Sequence, residues 1–289
     1  MKIIILIPIY NDWRSLEKLL ENINYTISNL KAEFSVIIIN DASSEKQILK
    51  LDKIENIKSI KILNIKNNMG HARCNATGLK YIYENEEFEF VIPMDGDGED
   101  RPEEIKQFVE KLNIDLYKPV VGERIKRSES TFFKICYFFH KILTLTFTSK
   151  SIKFGNYTCL SKPIVEMMIM EKASWSSFSG SLTKISYDKI TVPSTRGERY
   201  FGPSKMSFKN LLIHSLSIIG VFKFQVLFRS IFFAIIYTLA ISQNISYITL
   251  IPLIMLFIFV ASCFITSSRE NLNELKNSLS NISNIDTVK

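Results

Sequence analysis

The chain has 289 residues, 46% of them hydrophobic and 22% charged, with 36 Lys and Arg against 29 Asp and Glu and a net charge of +7. That apolar fraction and modest charge exclude a disordered chain, and the length allows one large domain with an appendage or two small domains. Cys74, Cys136, Cys159 and Cys263 lack paired spacing, which excludes a disulfide scaffold and a zinc ribbon and fits free thiols in a reducing compartment.

Residues 2–7 form a β-branched apolar run that predicts a buried strand. The apolar stretch to Ile9 is short, contains Pro8 and continues into Asn11-Asp12-Trp13-Arg14, so no signal peptide is expected. Residues 14–30 carry Leu16, Leu19, Leu20, Ile23, Ile27 and Leu30 at helical spacing. A second strand is predicted at 34–39, a helix at 45–57, a third strand at 60–65, a helix at 70–84 and a fourth strand at 88–94. Strands alternating with helices at this pitch predict a doubly wound, mostly parallel sheet, whose ligands bind at the carboxyl ends of the strands. Polar groups follow three of the strands directly, at 8–12, 40–44 and 95–100. No GxGxxG follows the first strand and no GxxxxGK[ST] occurs, which argues against a dinucleotide site and a P-loop.

Asp95, Asp97 and Glu99 alternate with glycines after the fourth strand. Carboxylates this close raise one another's pKa unless a cation neutralises them, which points to Mg²⁺ or Mn²⁺ completed by substrate phosphates. The alternative is an acidic solvated turn. A calcium EF-hand is a poor fit, because the twelfth position counted from Asp95 is Lys106.

The second half is basic, with nine Lys or Arg against two Glu over 118–162 and six against one over 196–229. Such stretches imply an anionic partner: nucleic acid, a membrane face or phosphates. Hydropathy favours the membrane over nucleic acid. Residues 230–268 contain no Lys, Arg, Asp, Glu or His, and one span takes about 20 residues, so two spans fit around the turn at Ser242-Gln243-Asn244. Lys209, Lys223 and Arg229 precede the hairpin and Arg269 and Lys276 follow it, which predicts both termini in the cytoplasm. Residues 132–147 and 206–222 read as amphipathic helices lying in the interface; the alternative for both is a core or homo-oligomer contact. The Asn- and Ser-rich tail after Arg269 is expected to be loosely ordered.

Six pieces in order carry a resemblance: Ile-Pro-Ile-Tyr-Asn-Asp at 7–12, Asn-Asp-Ala-Ser-Ser at 40–44, the Asn68–Gly78 run, Asp-Gly-Asp-Gly-Glu-Asp at 95–100, Gly-Glu-Arg at 122–124, and Arg-Gly-Glu-Arg-Tyr-Phe-Gly-Pro-Ser-Lys at 196–205. The chain resembles glycosyltransferase family 2, of the membrane-anchored type that acts on polyprenyl phosphates and is similar to dolichyl-phosphate mannose synthase. The resemblance implies a nucleotide-diphospho-sugar transferase domain (GT-A type) over 1–205. It also implies a juxtamembrane helix at 206–228, two spans within 229–268 and a cytoplasmic tail at 269–289. Pro8, Tyr10, Asn11, Asp12, Asp41, Arg73 and Asp95 would contact a nucleotide sugar, a uridine diphosphate sugar first among donors. Asp95, Asp97 and Glu99 match the metal positions. Arg124, Arg127, Lys153 and Ser204 would meet an acceptor phosphate. Asp97, Arg124, Arg199 and Lys205 would serve catalysis, the last two from a basic loop thought to close over the site. Relatives carry Asp where this chain has Lys153 and Asn156, either side of Gly155. A lipid phosphate is already largely ionised near pH 7 and needs no base there; a hydroxyl acceptor would, with Glu99 or Asp100 nearest. Inverting transfer to a polyprenyl phosphate is therefore expected, with transfer to a hydroxyl or a catalytically silent assembly partner as alternatives. His71, His140 and His214 are read as bystanders to the chemistry.

Overall fold

The computed structural model describes the chain apart from residues 48, 113, 114, 127–130, 187 and 204–206, with backbone alone at 126 and 131–135. The elements run β1 (Lys2–Ile9), α1 (Trp13–Ile27), β2 (Glu33–Asn40), β3 (Ile57–Ile65), α2 (His71–Asn85), β4 (Phe90–Pro93), α3 (Ile105–Lys111), β5 (Val120–Lys126), α4 (Thr131–Thr148), β6 (Thr158–Ser161), α5 (Lys162–Met170), α6 (Phe178–Ile185) and β7 (Ile190–Thr195). Then come α7 (Phe208–Gly220), α8 (Lys223–Ile241), α9 (Tyr247–Ser267), α10 (Leu272–Lys276) and β8 (Ile282–Thr287).

The strands form one mixed eight-stranded sheet in the order β7-β5-β6-β4-β1-β2-β3-β8. β1 is central and parallel to both neighbours, with Ile5 opposite Val36 and Ile92. Its side chains alternate, as strand geometry requires. Ile3, Ile5, Ile7 and Ile9 face the layer that contains α1 and α3, while Ile4 and Leu6 face the layer of α2, α5 and α6. Both faces are covered, which is why the strand reads as a continuous apolar run.

Two expectations change. The helix expected at 45–57 does not form among the described residues. Its backbone is satisfied by α1 instead: Asn24 Oδ1 accepts from the amides of Glu55 (3.0 Å) and Asn56 (2.7 Å), and Trp13 Nε1 donates to the Glu45 carbonyl at 3.2 Å. Apart from Ile57, which already belongs to β3, Ile54 is the one deeply buried side chain among the described residues there, so a helix would gain little by packing. The tail after Arg269 is not loose. β8 pairs antiparallel with β3, Asn284 opposite Asn64, and Leu275 packs against Trp175 and Ala76. The low hydropathy of the tail hides this, because an edge strand draws its stability from backbone pairing.

α8 and α9 are long and apolar enough to cross a membrane. Their side chains face outward, Leu239 being 69% and Phe257 73% exposed. Ser246 and Thr249 form a capping box that starts α9 just beyond the Ser242-Gln243-Asn244 turn. α4 likewise exposes Phe138, Phe139 and Leu145, and α7 exposes Phe208 and Leu212.

Asn24→Ala removes the acceptor that holds the amides of Glu55 and Asn56. It should lower stability by about 1–2 kcal/mol and speed hydrogen exchange at those two amides, read by thermal unfolding and by mass spectrometry.

Candidate active site

The loops after β1, β2 and β4 meet at the carboxyl edge of the sheet. Asn11 and Ala42 adopt positive φ, 50° and 56°, uncommon for side-chain-bearing residues. The two loops hold each other there: the Asn11 amide donates to Ser43 Oγ at 2.9 Å, and the Glu45 amide to Asn11 Oδ1 at 3.0 Å. Pro8 and Ile9 are the last buried residues of this edge and Tyr10 stands exposed beside them. Asp41 is buried, and its oxygens accept from the amides of Met69 (2.7 Å) and Gly70 (2.9 Å). Its carboxylate thus fixes the entry to α2. Arg73, one turn on, lies 5.3 Å from the Trp175 ring and 3.6 Å from Glu274, and is not brought to the carboxylates after β4.

Those carboxylates are crowded and half-buried or buried. Asp95 Oδ1 is 3.0 Å from His71 Nε2 and accepts from Asn156 Nδ2 at 3.4 Å. Burial works against its ionisation, but His71, with Arg196 and Arg124, holds the carboxyl well below the usual range. Asp97 moves the other way: burial and the charge of Asp95 push it up, against the pull of Arg199 and Arg196. Asp100 is buried, accepts from the Asp95 amide at 2.9 Å, and is also pushed up, by burial first and Asp95 second.

The loop after β7 answers this charge with arginines. Arg199 bridges Asp97 and Asp12, the latter at 2.6 Å, and Arg196 pairs with Glu99. The loop backbone is tied as well, Gly197 N to the Glu99 carbonyl (2.8 Å) and Tyr200 N to the Asp97 carbonyl (2.9 Å). Tyr200 lies over Gly98, whose φ of 90° suits glycine; a Cβ there would sit 2.5 Å from the ring. Asn22 anchors the Tyr200 hydroxyl at 2.7 Å.

Beyond them stands Arg124. Its guanidinium lies against Gly155, 2.6 Å from where a Cβ would be. The backbone holds it, Arg124 N donating to the Lys153 carbonyl at 3.1 Å, while Lys153 Nζ pairs with Glu123 at 2.8 Å. Arg127, Ser204 and Lys205 lie outside the described residues.

Two histidines enter the site against the sequence expectation. His71 contacts Asp95, and Asn156 reaches both of them, 3.2 Å from His71 Nδ1. His214, on α7, lies within electrostatic range of this group; burial first, then the positive charges of His71, Arg124 and His140, push its imidazole down to about 4, against the opposing pull of Asp95. His71 could have been found, since it opens the helix whose start lies at the sheet edge. His214 had no such signal, because only the packing of α7 against α6 and α9 brings it there.

Asp95 and Asp97 fit a hard divalent cation: they supply oxygen donors, and Asp97 is raised by burial first and by the charge of Asp95 second. Glu99, the third expected ligand, is turned to Arg196, and among the described residues no three His, Cys, Asp or Glu side chains form a ready-made metal cluster.

Comparison with known proteins follows the same line. Glycosyl transferase family 2 matches residues 4–162. An uncharacterised glycosyltransferase of Synechocystis is 27% identical over 227 residues, 77% of this chain and 69% of the relative. Among solved structures, glucosyl-3-phosphoglycerate synthase of Mycobacterium tuberculosis with phosphoglyceric acid superposes with a TM-score of 0.55 at 10% identity, covering 78% of this chain and 80% of that one. TarS 1–349 of S. aureus in complex with UDP-GlcNAc does so with a TM-score of 0.51 at 14% identity, covering 97% and 89%. These likenesses establish a GT-A-like fold.

Gly98→Ala should force Tyr200 off the carboxylate turn, both by contact and by the cost of positive φ. The loop after β7 should then open, seen as several-fold faster tryptic cleavage after Arg196 and Arg199 at unchanged secondary structure; equal cleavage rates would show that Tyr200 does not hold the loop.

Proposed function

The chain belongs to glycosyltransferase family 2, and we propose that it moves a sugar from a nucleotide sugar to a polyprenyl phosphate at the cytoplasmic face of a membrane, with inversion at the anomeric carbon. One observation carries the acceptor. α7 exposes Phe208 and Leu212 on the route into α8 and α9, and the same helix brings His214 within reach of Arg124 and Asp95. A phosphate borne on a lipid chain would thus meet the carboxylate turn without leaving the membrane surface.

The loops at 8–12 and 40–44 take the nucleoside, a uridine first. Asp95 and Asp97 would hold Mg²⁺ or Mn²⁺, which when bound supplies positive charge to the diphosphate. Crystal structures of the mycobacterial synthase contain Mn²⁺ or Mg²⁺ with UDP, which supports the choice of ion. Arg124 receives the acceptor phosphate and orients one oxygen towards the anomeric carbon, and Lys153, Arg127, Ser204 and Lys205 are the further residues assigned to that phosphate. That oxygen forms the new bond as the bond from the anomeric carbon to the diphosphate oxygen breaks, and the electron pair leaves with the nucleoside diphosphate. The acceptor oxygen is already ionised, so no base is needed where Lys153 and Asn156 stand. Arg199 and Arg196, released from Asp97 and Glu99, are the groups that meet the departing charge.

For topology, what supports two spans with both ends on one side is β8. The chain leaves the sheet after β7, passes through α8 and α9, and returns to pair with β3. Residues 269–289 therefore belong with the catalytic domain of 1–205, and 206–228 with the membrane surface. Basic residues on that side make it the cytoplasmic one.

Detergent-purified protein given a panel of nucleotide sugars with polyprenyl phosphate should form a lipid-linked sugar. EDTA should abolish this, and Asp97→Asn should lower it by about 10²–10³-fold. Transfer only to hydroxyl acceptors would overturn the acceptor, and full activity in EDTA the metal. A cysteine placed at Ser283 should react with an impermeant maleimide only after cells are opened; labelling of intact cells would refute the topology.

A further inference from the structure

We propose that Asp286, in the strand that follows the membrane hairpin, is a positioning residue for the nucleotide loop, acting by setting the direction of a row of amide hydrogen bonds. The inference rests on the donor site proposed above. The row begins on β8 and ends at the edge of β1. Asn64 Nδ2 donates to Asp286 Oδ2 at 2.7 Å, and Asn40 Nδ2 donates to Asn64 Oδ1 at 2.8 Å. The Ser43 amide donates to Asn40 Oδ1 at 3.0 Å, and the Asn11 amide to Ser43 Oγ at 2.9 Å. Each link is of ordinary hydrogen-bond length, and Asn40 is buried.

The physical point is polarity. A carboxamide can present either its oxygen or its NH₂ to a neighbour, at no cost in shape, whereas an ionised carboxylate only accepts. With Asp286 at one end, Asn64 must turn its NH₂ towards it and its oxygen towards Asn40. Asn40 must then turn its NH₂ towards Asn64, which leaves its oxygen for the Ser43 amide. Asn284 Nδ2, at 2.9 Å from Asp286 Oδ1, occupies the other carboxylate oxygen and keeps the group in place. The far end of the row bears on strained backbone. Ala42 and Asn11 hold φ of 56° and 50°, conformations that persist only where surrounding bonds over-determine them. Ser43 directly follows Ala42 in the chain and accepts from the Asn11 amide in the row. A strand contributed from beyond the apolar hairpin therefore accepts at one end of the row while the Ser43 amide donates at the other, and the native direction is the one that satisfies both ends.

The test inverts the row and then restores it. Asp286→Lys places a donor at the end. Asn64 would turn its oxygen outward, Asn40 would follow, and an NH₂ would oppose the Ser43 N–H. Nucleotide affinity of the full chain, measured by titration calorimetry with UDP and GDP, should fall about tenfold, with KM for the donor rising and kcat within about twofold. Asp286→Asn, which keeps an acceptor available, should stay within about twofold of wild type. Adding Asn64→Asp to Asp286→Lys supplies a carboxylate that accepts from both sides, so Asn40 regains its native direction and affinity should return. Hydrogen exchange at the Ser43 amide, measured without nucleotide, should rise in Asp286→Lys alone and recover in the double variant. Wild-type protein that binds neither nucleotide would overturn the donor-site reading and this inference with it. Wild-type binding with Asp286→Lys unchanged, or with no recovery in the double variant, would overturn this inference and leave the donor site standing.

Discussion

Four carboxyl groups, those of Asp95, Asp97, Glu99 and Asp100, crowd residues 95–100, just beyond β4. Taking that much negative charge out of water is costly unless each group is paired or neutralised. Much of the remaining architecture can be understood as the answer to this one demand. α2 begins where His71 can reach Asp95, and β6 is preceded by Asn156 for the same carboxylate. The loop after β7 folds back over the turn so that Arg196 and Arg199 lie against Glu99 and Asp97. The balance is uneven: Asp95 is held ionised while Asp97 and Asp100 are pushed towards their protonated forms. A small divalent cation at Asp95 and Asp97, as proposed above, would relieve this crowding by adding positive charge.

The same charge explains why the arginines of one loop have two uses. Arg199 spans Asp12 and Asp97, tying the loop after β1 to the turn after β4 across the mouth of the site. In the function proposed above, donor phosphates would compete with these carboxylates for the guanidinium groups, and closing the site and binding the donor would be one exchange of ion pairs.

The membrane side obeys a different constraint. α8 and α9 expose large apolar side chains along their whole length, a surface that water does not tolerate and lipid does. Because the chain returns from this hairpin to pair with β3, the apolar segment is an insertion in the order of the sheet rather than a terminal anchor.

Periodicity alone made β1, β2, β3 and the flanking helices legible, because a strand buried on both faces and an amphipathic helix write their environment into the order of apolar residues. The carboxylate turn and the paired loops were legible for the related reason that ligands gather at the carboxyl ends of parallel strands. The hairpin was plain from 39 residues without a charge. What the order of residues did not contain was any interaction that is polar and long-range. The segment at 45–57 carries helical residues, but Asn24 satisfies its backbone from another element. The tail is polar, but backbone pairing with β3 orders it. His71 and His214 are two of three histidines in the chain, and only packing makes them neighbours of Asp95 and Arg124. Apolar burial is a property of a residue and its near neighbours in sequence, so it can be read along the chain. A hydrogen bond or an ion pair belongs to two residues that meet only once the chain has folded, and so the tertiary structure alone decided them.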